Sequence, residues 1–311
     1  SSPLAVGMSG NFRQMKRRIL NIAVFRKETL YQKMRALIIY LVISAVFIGC
    51  TPILSIDAST QNVYHFSDTD KNISLLDISE TFGTYDGSFV LYDNNLDSWK
   101  IYDLEEATKR IPPESTYKIY DALLGLESGI ITPEHSSMTW NGDAFPFPSW
   151  EADQDLNSAM QNSVNWYFQA IDSQLGINRV QEFLNKIEYG NQTTSSNLDL
   201  YWSDFSLKIS PLEQVTLLKK FNTNEFHLNS QNVFSVKNAI KIASTPNGNF
   251  YGKTGTGRVN GQDINGWFIG YVETSDNSYY FATNIQSDSN ATGKKAFEIT
   301  SDILKKLHIW N

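Results

Sequence analysis

A chain of 311 residues that is 41% hydrophobic and 19% charged can bury a large core, which excludes a disordered or fibrous polypeptide. The net charge of -7 is unevenly placed: residues 1–35 carry eight basic side chains against one acid, Glu28, so the body is strongly acidic and excludes nucleic acid as a partner. Cys50 is the only cysteine, which excludes an internal disulfide.

In chain order, the first predicted element is the uncharged run ALIIYLVISAVFIGCTPIL, residues 36–54. As a helix it would be roughly 28 Å long, close to the ~30 Å hydrocarbon thickness of a bilayer. The basic cluster precedes it. The positive-inside rule then places residues 1–35 in the cytoplasm, as the tail of a membrane domain, and the acidic body outside the cell. This predicts a single-pass protein of the cell membrane. Two other readings of the run are a buried core helix and a lipoprotein signal ending at Ile48-Gly49-Cys50.

Residues 55–87 are polar and form a linker leading into the domain, with Ile73, Leu75, Leu76, Ile78 and Phe82 spaced for a short helix. Ser88–Tyr92 and Ser98–Tyr102 alternate around Asn94-Asn95, a hairpin pattern. A helix is predicted over 115–128, because Pro112 and Pro113 resist helix before it and Gly129 offers a stop. Residues 129–200 read as mostly helical, and Ser210–Lys220 and Val236–Ile242 as further helices. Gly252–Arg258, Gly266–Glu273 and Tyr279–Ile285 read as three strands of an antiparallel meander, followed by an amphipathic helix, Ala296–Leu307. The fold class is α+β: an antiparallel sheet packed against helices, with a mainly helical lobe, spanning residues 88–311.

Ser115 and Lys118 are three residues apart at the start of a helix, on one face. A hydroxyl there has an amine base beside it and the positive end of the helix under it, which suits a nucleophile. Lys253-Thr254-Gly255-Thr256-Gly257 offers an ammonium, two hydroxyls and a small-residue strand edge. Ser163-Val164-Asn165 can present a hydroxyl and an amide, and Tyr189-Gly190-Asn191 and Tyr201-Trp202 add polar-aromatic material. Each alone has an ordinary structural explanation: a chance Ser-x-x-Lys, a cap, a turn, a core aromatic.

In this order the motifs resemble the serine β-lactamases and penicillin-binding proteins, and within them the class D branch. The resemblance runs from about Asp86 to the C-terminus. It is closer to the β-lactam sensor-transducers of Gram-positive bacteria, through Gly87-Ser-Phe-Val-Leu-Tyr-Asp93, Ser115-Thr-Tyr-Lys-Ile-Tyr120, Ser163-Val-Asn-Trp-Tyr-Phe168 and Asn265-Gly-Trp-Phe-Ile-Gly-Tyr271. The resemblance implies an extracellular penicillin-binding sensor domain acylated by β-lactam antibiotics. It also implies a membrane-embedded zinc peptidase on the N-terminal side, absent from this chain. No His-Glu-x-x-His occurs, and His65, His135, His227 and His308 are scattered, so no metal site is expected.

The resemblance implies a role for each site residue. Ser115 attacks the lactam carbonyl and Lys118 takes its proton, as an amine or as a CO2-derived carbamate. Ser163 relays a proton to the lactam nitrogen. Backbone N–H groups of Ser115 and Thr256 form the oxyanion hole, and Lys253, Thr254, Gly255 and Thr256 hold the substrate carboxylate, with Tyr189 and Trp202 as further substrate-binding residues. The arginine that many class D enzymes place near the final helix is missing, leaving Lys294 and Lys295 there. Asn165 stands where class D β-lactamases commonly have an apolar residue, which favours a receptor acylated once. The alternatives are a class D β-lactamase and a D,D-peptidase.

Overall fold

The computed structural model describes residues 62–67 and 71–311, with Met34. The segments 1–35 and 36–54, read above as a cytoplasmic tail and a membrane span, lie outside the described residues apart from Met34. Among the described residues no helix is long and apolar enough to cross a membrane.

A seven-stranded sheet organises the domain, in the order β1-β3-β2-β7-β6-β5-β4. Its strands are β1 (Asn72–Leu75), β2 (Asp86–Asp93), β3 (Ser98–Tyr102), β4 (Lys241–Thr245), β5 (Gly248–Val259), β6 (Gln262–Glu273) and β7 (Ser278–Gln286). The β2–β3 hairpin and the β5–β6–β7 meander form as their alternation and turns predict. The sheet is mixed, however, because β1 runs parallel to β3. Residues 72–75, spaced for a helix, are instead taken by the open edge of β3, and only α1 (Ser79–Phe82) is helical there. Tertiary pairing has overridden local spacing.

The strands in the middle of the sheet are buried on both faces, so they read as nearly continuous apolar runs. On β6, Trp267, Ile269 and Tyr271 enter the core shared with the helical lobe, while Phe268 and Val272 face the C-terminal helix α9 (Gly293–Lys306). Ala296, Ile299 and Ile303 supply the stripe by which α9 docks.

The other face carries α2 (Leu104–Thr108), α3 (Lys118–Glu127), α4 (Leu156–Gln161), α5 (Asn165–Leu175), α6 (Ile177–Ile187), α7 (Pro211–Asn222) and α8 (Ser230–Ala239). Residues 129–200 are less helical than expected: 129–155 form turns and one short 3-10 segment, Pro148–Trp150. The helix predicted at Val236–Ile242 starts earlier, where the Asn229 side chain accepts from Gln231 N, and stops at Ala239. The next residues pair with β5 instead, starting with Gly252 N donating to Ile240 O.

Helix α3 is buried from Lys118 to Leu126, the pattern of a central helix that is covered all round. Gly129 ends it with φ +72°, its N–H donating to Leu126 O. At its head, a 3-10 turn (Glu114–Tyr117) runs directly into it, so Ser115 sits one turn before the α-helix proper.

Candidate active site

Three segments meet beside that 3-10 turn. Lys118 Nζ donates to Ser115 Oγ at 2.8 Å and to Asn165 Oδ1 at 2.7 Å. Lys253 Nζ lies 3.0 Å from Ser163 Oγ. Thus each lysine holds one residue of the 163–165 segment. The structure brings Ser115, Lys118, Ser163, Asn165, Lys253, Thr254, Gly255 and Thr256 together, from positions up to 141 residues apart in sequence.

The segment 163–165 is shaped for this task. Ser163 has φ +56°, a left-handed conformation that is uncommon for a residue other than glycine. Val164 is fully buried, and Asn165 opens α5. The reversal at Ser163 is what turns its hydroxyl towards Lys253 while Asn165 faces Lys118.

Lys118 is 1% exposed. The rings of Trp202 and Phe168 stand with their centroids 5.6 Å from its Nζ. Burial, then the charge of Lys253, hold its pKa well below the ordinary lysine range, against the opposing pull of Asp121 and Glu114. An amine that is neutral at moderate pH is a competent base. Burial also lowers Lys253, to about 7.

The glycines of the Lys253 strand make room for the nucleophile's turn. A Cβ on Gly255 would stand 3.1 Å from Pro113 O and 3.3 Å from Ser115 N; one on Gly257 would stand 2.3 Å from Glu114 Oε1. The chain's own 3-10 turn takes the space beside both glycines, and Gly255 also lines the cleft. Gly293, at the head of α9, is equally tight, 2.7 Å from Gly255 O for a Cβ, and its N–H donates to Thr256 Oγ1 at 2.8 Å. The strand is thereby wedged between the nucleophile and the last helix.

A cleft of about 410 Å³ opens over Ser115, Ser163, Asn165, Thr254, Gly255 and Thr256, within the usual range for small-molecule sites. Phe147, Ser149, Trp150 and Asn162 form one rim, and Arg258, Asp263 and Thr292 the other. Sequence reasoning missed both rims. The available signal was Phe145-Pro-Phe-Pro-Ser-Trp150, aromatics in a stretch that proline keeps from folding inward. Arg258 is the cation among the residues lining the cleft, and it pairs with Asp263 through two bonds, of 2.7 and 3.2 Å, while Lys253 lies buried behind Ser163. Lys294 and Lys295 do not line the cleft.

Tyr189 and Trp202 are not in the cleft either. Tyr189 is fully buried, its ring edge-on to Tyr117 and Tyr120 at 5.2 and 5.1 Å. Trp202 is 2% exposed and walls the Lys118 chamber, and its carbonyl accepts from Glu114 N. Their work is to seat the helix and desolvate the lysine.

Glu114, beside the nucleophile, also went unread. It is buried, at φ +52°, and accepts from Asn265 Nδ2 at 3.2 Å. Burial pushes its carboxyl up to about 8, against the Asn265 bond and Lys118. Asn265 and Trp267 of β6 both donate to Pro112 O, at 3.1 and 2.8 Å, which fixes the proline entrance to the turn. Among the described residues no three His, Cys, Asp or Glu side chains converge to hold a metal.

Residues 80–305 match the family described as the penicillin binding protein transpeptidase domain. Over its whole length the chain is 43% identical to Regulatory protein BlaR1 of Bacillus licheniformis, and it spans about half of that protein, 52%. The solved C-terminal domain of the Bacillus licheniformis BlaR penicillin-receptor superposes with a TM-score of 0.76 at 45% identity, over 78% of this chain and 99% of that one. Class D beta-lactamase BAT-2 superposes with a TM-score of 0.71 at 36% identity, over 76% and 97%. The chain belongs to the penicillin-binding protein transpeptidase domain family, in the serine β-lactamase fold.

Proposed function

We propose that this domain is a β-lactam sensor, acylated at Ser115 by the antibiotic and held in that state. The observation that carries the reading is Lys118 Nζ set between Ser115 Oγ and Asn165 Oδ1, at 2.8 and 2.7 Å. The first contact serves acylation and the second opposes what would follow it. A relative named as a regulatory protein and a solved relative named as a penicillin-receptor support the same reading.

In this mechanism the antibiotic's carboxylate binds to Lys253, Thr254 and Thr256. The Ser115 hydroxyl gives its proton to Lys118 Nζ as its oxygen bonds to the lactam carbonyl carbon. The charge that develops on the carbonyl oxygen is met by the N–H groups of Ser115 and Thr256. The ring C–N bond then breaks; its nitrogen takes the Ser163 hydroxyl proton, the Lys253 ammonium replaces that proton, and Lys253 recovers its own from solvent. Lys118 is left as an ammonium with Asn165 Oδ1 as acceptor. An ammonium cannot activate water, so the ester persists.

A carbamate on Lys118 suits these residues poorly. Asn165 Oδ1, 2.7 Å from Nζ, is an acceptor that suits an amine or ammonium hydrogen and offers nothing to the acceptor oxygens of a carbamate. No step is therefore drawn through it.

Residues 36–54 would cross the cell membrane with the sensor outside, residues 1–35 would be the cytoplasmic end of a membrane domain, and 55–87 would connect the span to the sensor. A zinc-peptidase domain on the N-terminal side would be the partner that reads acylation. The second reading, a class D β-lactamase, is favoured by the likeness to BAT-2. The lifetime of the penicillin adduct separates them: an adduct that outlasts a bacterial generation supports the sensor, and clearance in seconds with many turnovers makes the protein a hydrolase.

A further inference from the structure

Beneath the Lys118–Asn165 contact the same two helices make a second one. Asp121 follows Lys118 by three residues on α3, and Asp172 follows Asn165 by seven on α5. Both spacings keep to one helix face. The lysine and the amide meet at one level, and the two carboxyl groups face each other further along. Both aspartates are fully buried, and none of their four carboxyl oxygens has a hydrogen bond of good geometry, although the two carboxyls and the Tyr201 hydroxyl lie close enough to act on one another as hydrogen-bonding groups. The buried hydroxyls of Tyr117 and Tyr201 lie close to each other, and that of Tyr201 close to Asp172, again without a bond of good geometry.

Two ionised carboxylates cannot share such a space; each would lose its water and repel the other. The groups around them are few. Tyr117, Tyr167 and Tyr201 are neutral phenols, Asp199 acts on Asp172 from an exposed loop, and Lys118 is the cation that acts on Asp121. Lys118 in turn feels Lys253 and Glu114.

We propose that Asp121 and Asp172 are a proton store for Lys118, a pair that shares protons with its amine and sets its charge. With Lys118 neutral, both carboxyls are protonated. With Lys118 charged, the pair keeps one proton and one negative charge. The two states hold the same number of protons and are both neutral overall, so moving between them needs no net proton from solvent. The directions agree: burial and mutual repulsion raise the Asp121 carboxyl far above its usual range, while burial lowers the lysine.

The consequence for acylation rests on the reading of Lys118 as the base at Ser115. Once Lys118 has taken the Ser115 proton, the chamber is positive by one charge. Loss of one carboxyl proton to solvent restores neutrality and leaves an anion beneath the ammonium. That anion holds Lys118 charged, and so holds the ester. Asp121 and Asp172 are positioning residues, acting through Lys118.

The test is Asp121→Asn, Asp172→Asn and the double variant, all checked first for folding by thermal melting. Acylation by a penicillin is followed by mass spectrometry across pH, and the adduct's lifetime after drug removal. The double variant should move the acid limb of acylation down by about one pH unit or more and shorten the adduct's lifetime at least tenfold. Each single variant keeps one ionisable carboxyl and should shift by less than half as much on a logarithmic scale. A folded, acylated double variant with the wild-type pH limb and lifetime overturns the proposal. A wild type that forms no adduct at Ser115 overturns the reading of the site instead. If the double variant does not fold, infrared spectroscopy decides in the Glu114→Gln background, where Glu114 adds no protonated carboxyl. A buried protonated-carboxyl band at neutral pH, weakened on acylation, supports the store; its absence refutes it.

Discussion

Lys118 Nζ and Asn165 Oδ1 lie 2.7 Å apart although 47 residues separate them in the chain. The contact joins the helix that carries the nucleophile to the helix that opens beside the cleft. Asn165→Val removes the acceptor and keeps the volume nearly constant. A hydrogen bond to a charged group contributes about 1.5–3 kcal/mol, and each tenfold in rate is about 1.4 kcal/mol. The adduct of Asn165→Val should therefore decay about ten- to a hundredfold faster, measured as adduct fraction against time after removing free drug. An unchanged lifetime would falsify the role given to Asn165.

Ser115→Ala should form no penicillin adduct, since Oγ is the atom acylated. Lys118→Ala should still be acylated, but about 10²–10⁴-fold more slowly, the usual contribution of a positioned base. Intact-protein mass spectrometry reads both. An adduct on Ser115→Ala would remove the assignment of the nucleophile.

Lys253 titrates near 7 because it is buried. Its ammonium is the form that binds a carboxylate, and that form is lost as pH rises through 7. The acylation efficiency of a penicillin should fall on the alkaline side of about pH 7, towards tenfold per pH unit. A penicillin methyl ester, with no carboxylate, should not show this fall. Parallel profiles for acid and ester would show that Lys253 does not bind the carboxylate.

Glu114 gives a stability effect of definite sign. Burial lifts its folded-state pKa to about 8, above the ordinary carboxyl value of 4.5, so between those values the folded form binds a proton that the unfolded form does not. Stability from this group is complete below the lower value and falls as pH rises, by about 1.4 kcal/mol per unit, until the folded-state pKa is passed. Glu114→Gln, neutral throughout, should flatten that part of the curve and melt higher than wild type at pH 8. Thermal melting from pH 5 to 9 measures it; identical slopes in the two proteins would contradict the shift.

Gly293→Ala should loosen the wedge on the Lys253 strand. Its Cβ would meet backbone at 2.7 Å, which cannot swing aside as a side-chain tip can. Forcing such contacts costs about 1–3 kcal/mol. Acylation should slow as well, because the displaced strand carries Lys253 and Thr256. A variant as stable and as quickly acylated as wild type would show that the strand yields freely.

Much of the site was readable because it depends on local geometry. Pro112 and Pro113 locate the start of the helix, and three residues set Ser115 and Lys118 on one face. The meander followed from alternation and short turns. What escaped was non-local. Tyr189 and Trp202 have the composition of pocket walls, but whether an aromatic faces a cleft or a core depends on what packs against it; here Tyr117 and Lys118 do. Glu114 is an ordinary acid until β5 and β6 close over it. Asp121 and Asp172 become a pair only when α3 and α5 meet. The edge strands β1 and β4 were missed because an edge takes its partner from the sheet, against a helical spacing in its own residues.

The left-handed backbone at Ser163 limits which changes evolution can sample there. Glycine, asparagine and aspartate accept that conformation with little strain, whereas alanine and the branched residues do not. A lineage that loses the hydroxyl at this position is thus channelled towards glycine or asparagine, since aspartate would set an acid beside Lys253. Alanine, the usual choice for deleting a side chain, would distort the segment as well as remove the oxygen. Glycine is therefore the informative substitution at Ser163, and an alanine variant there would report two losses as one.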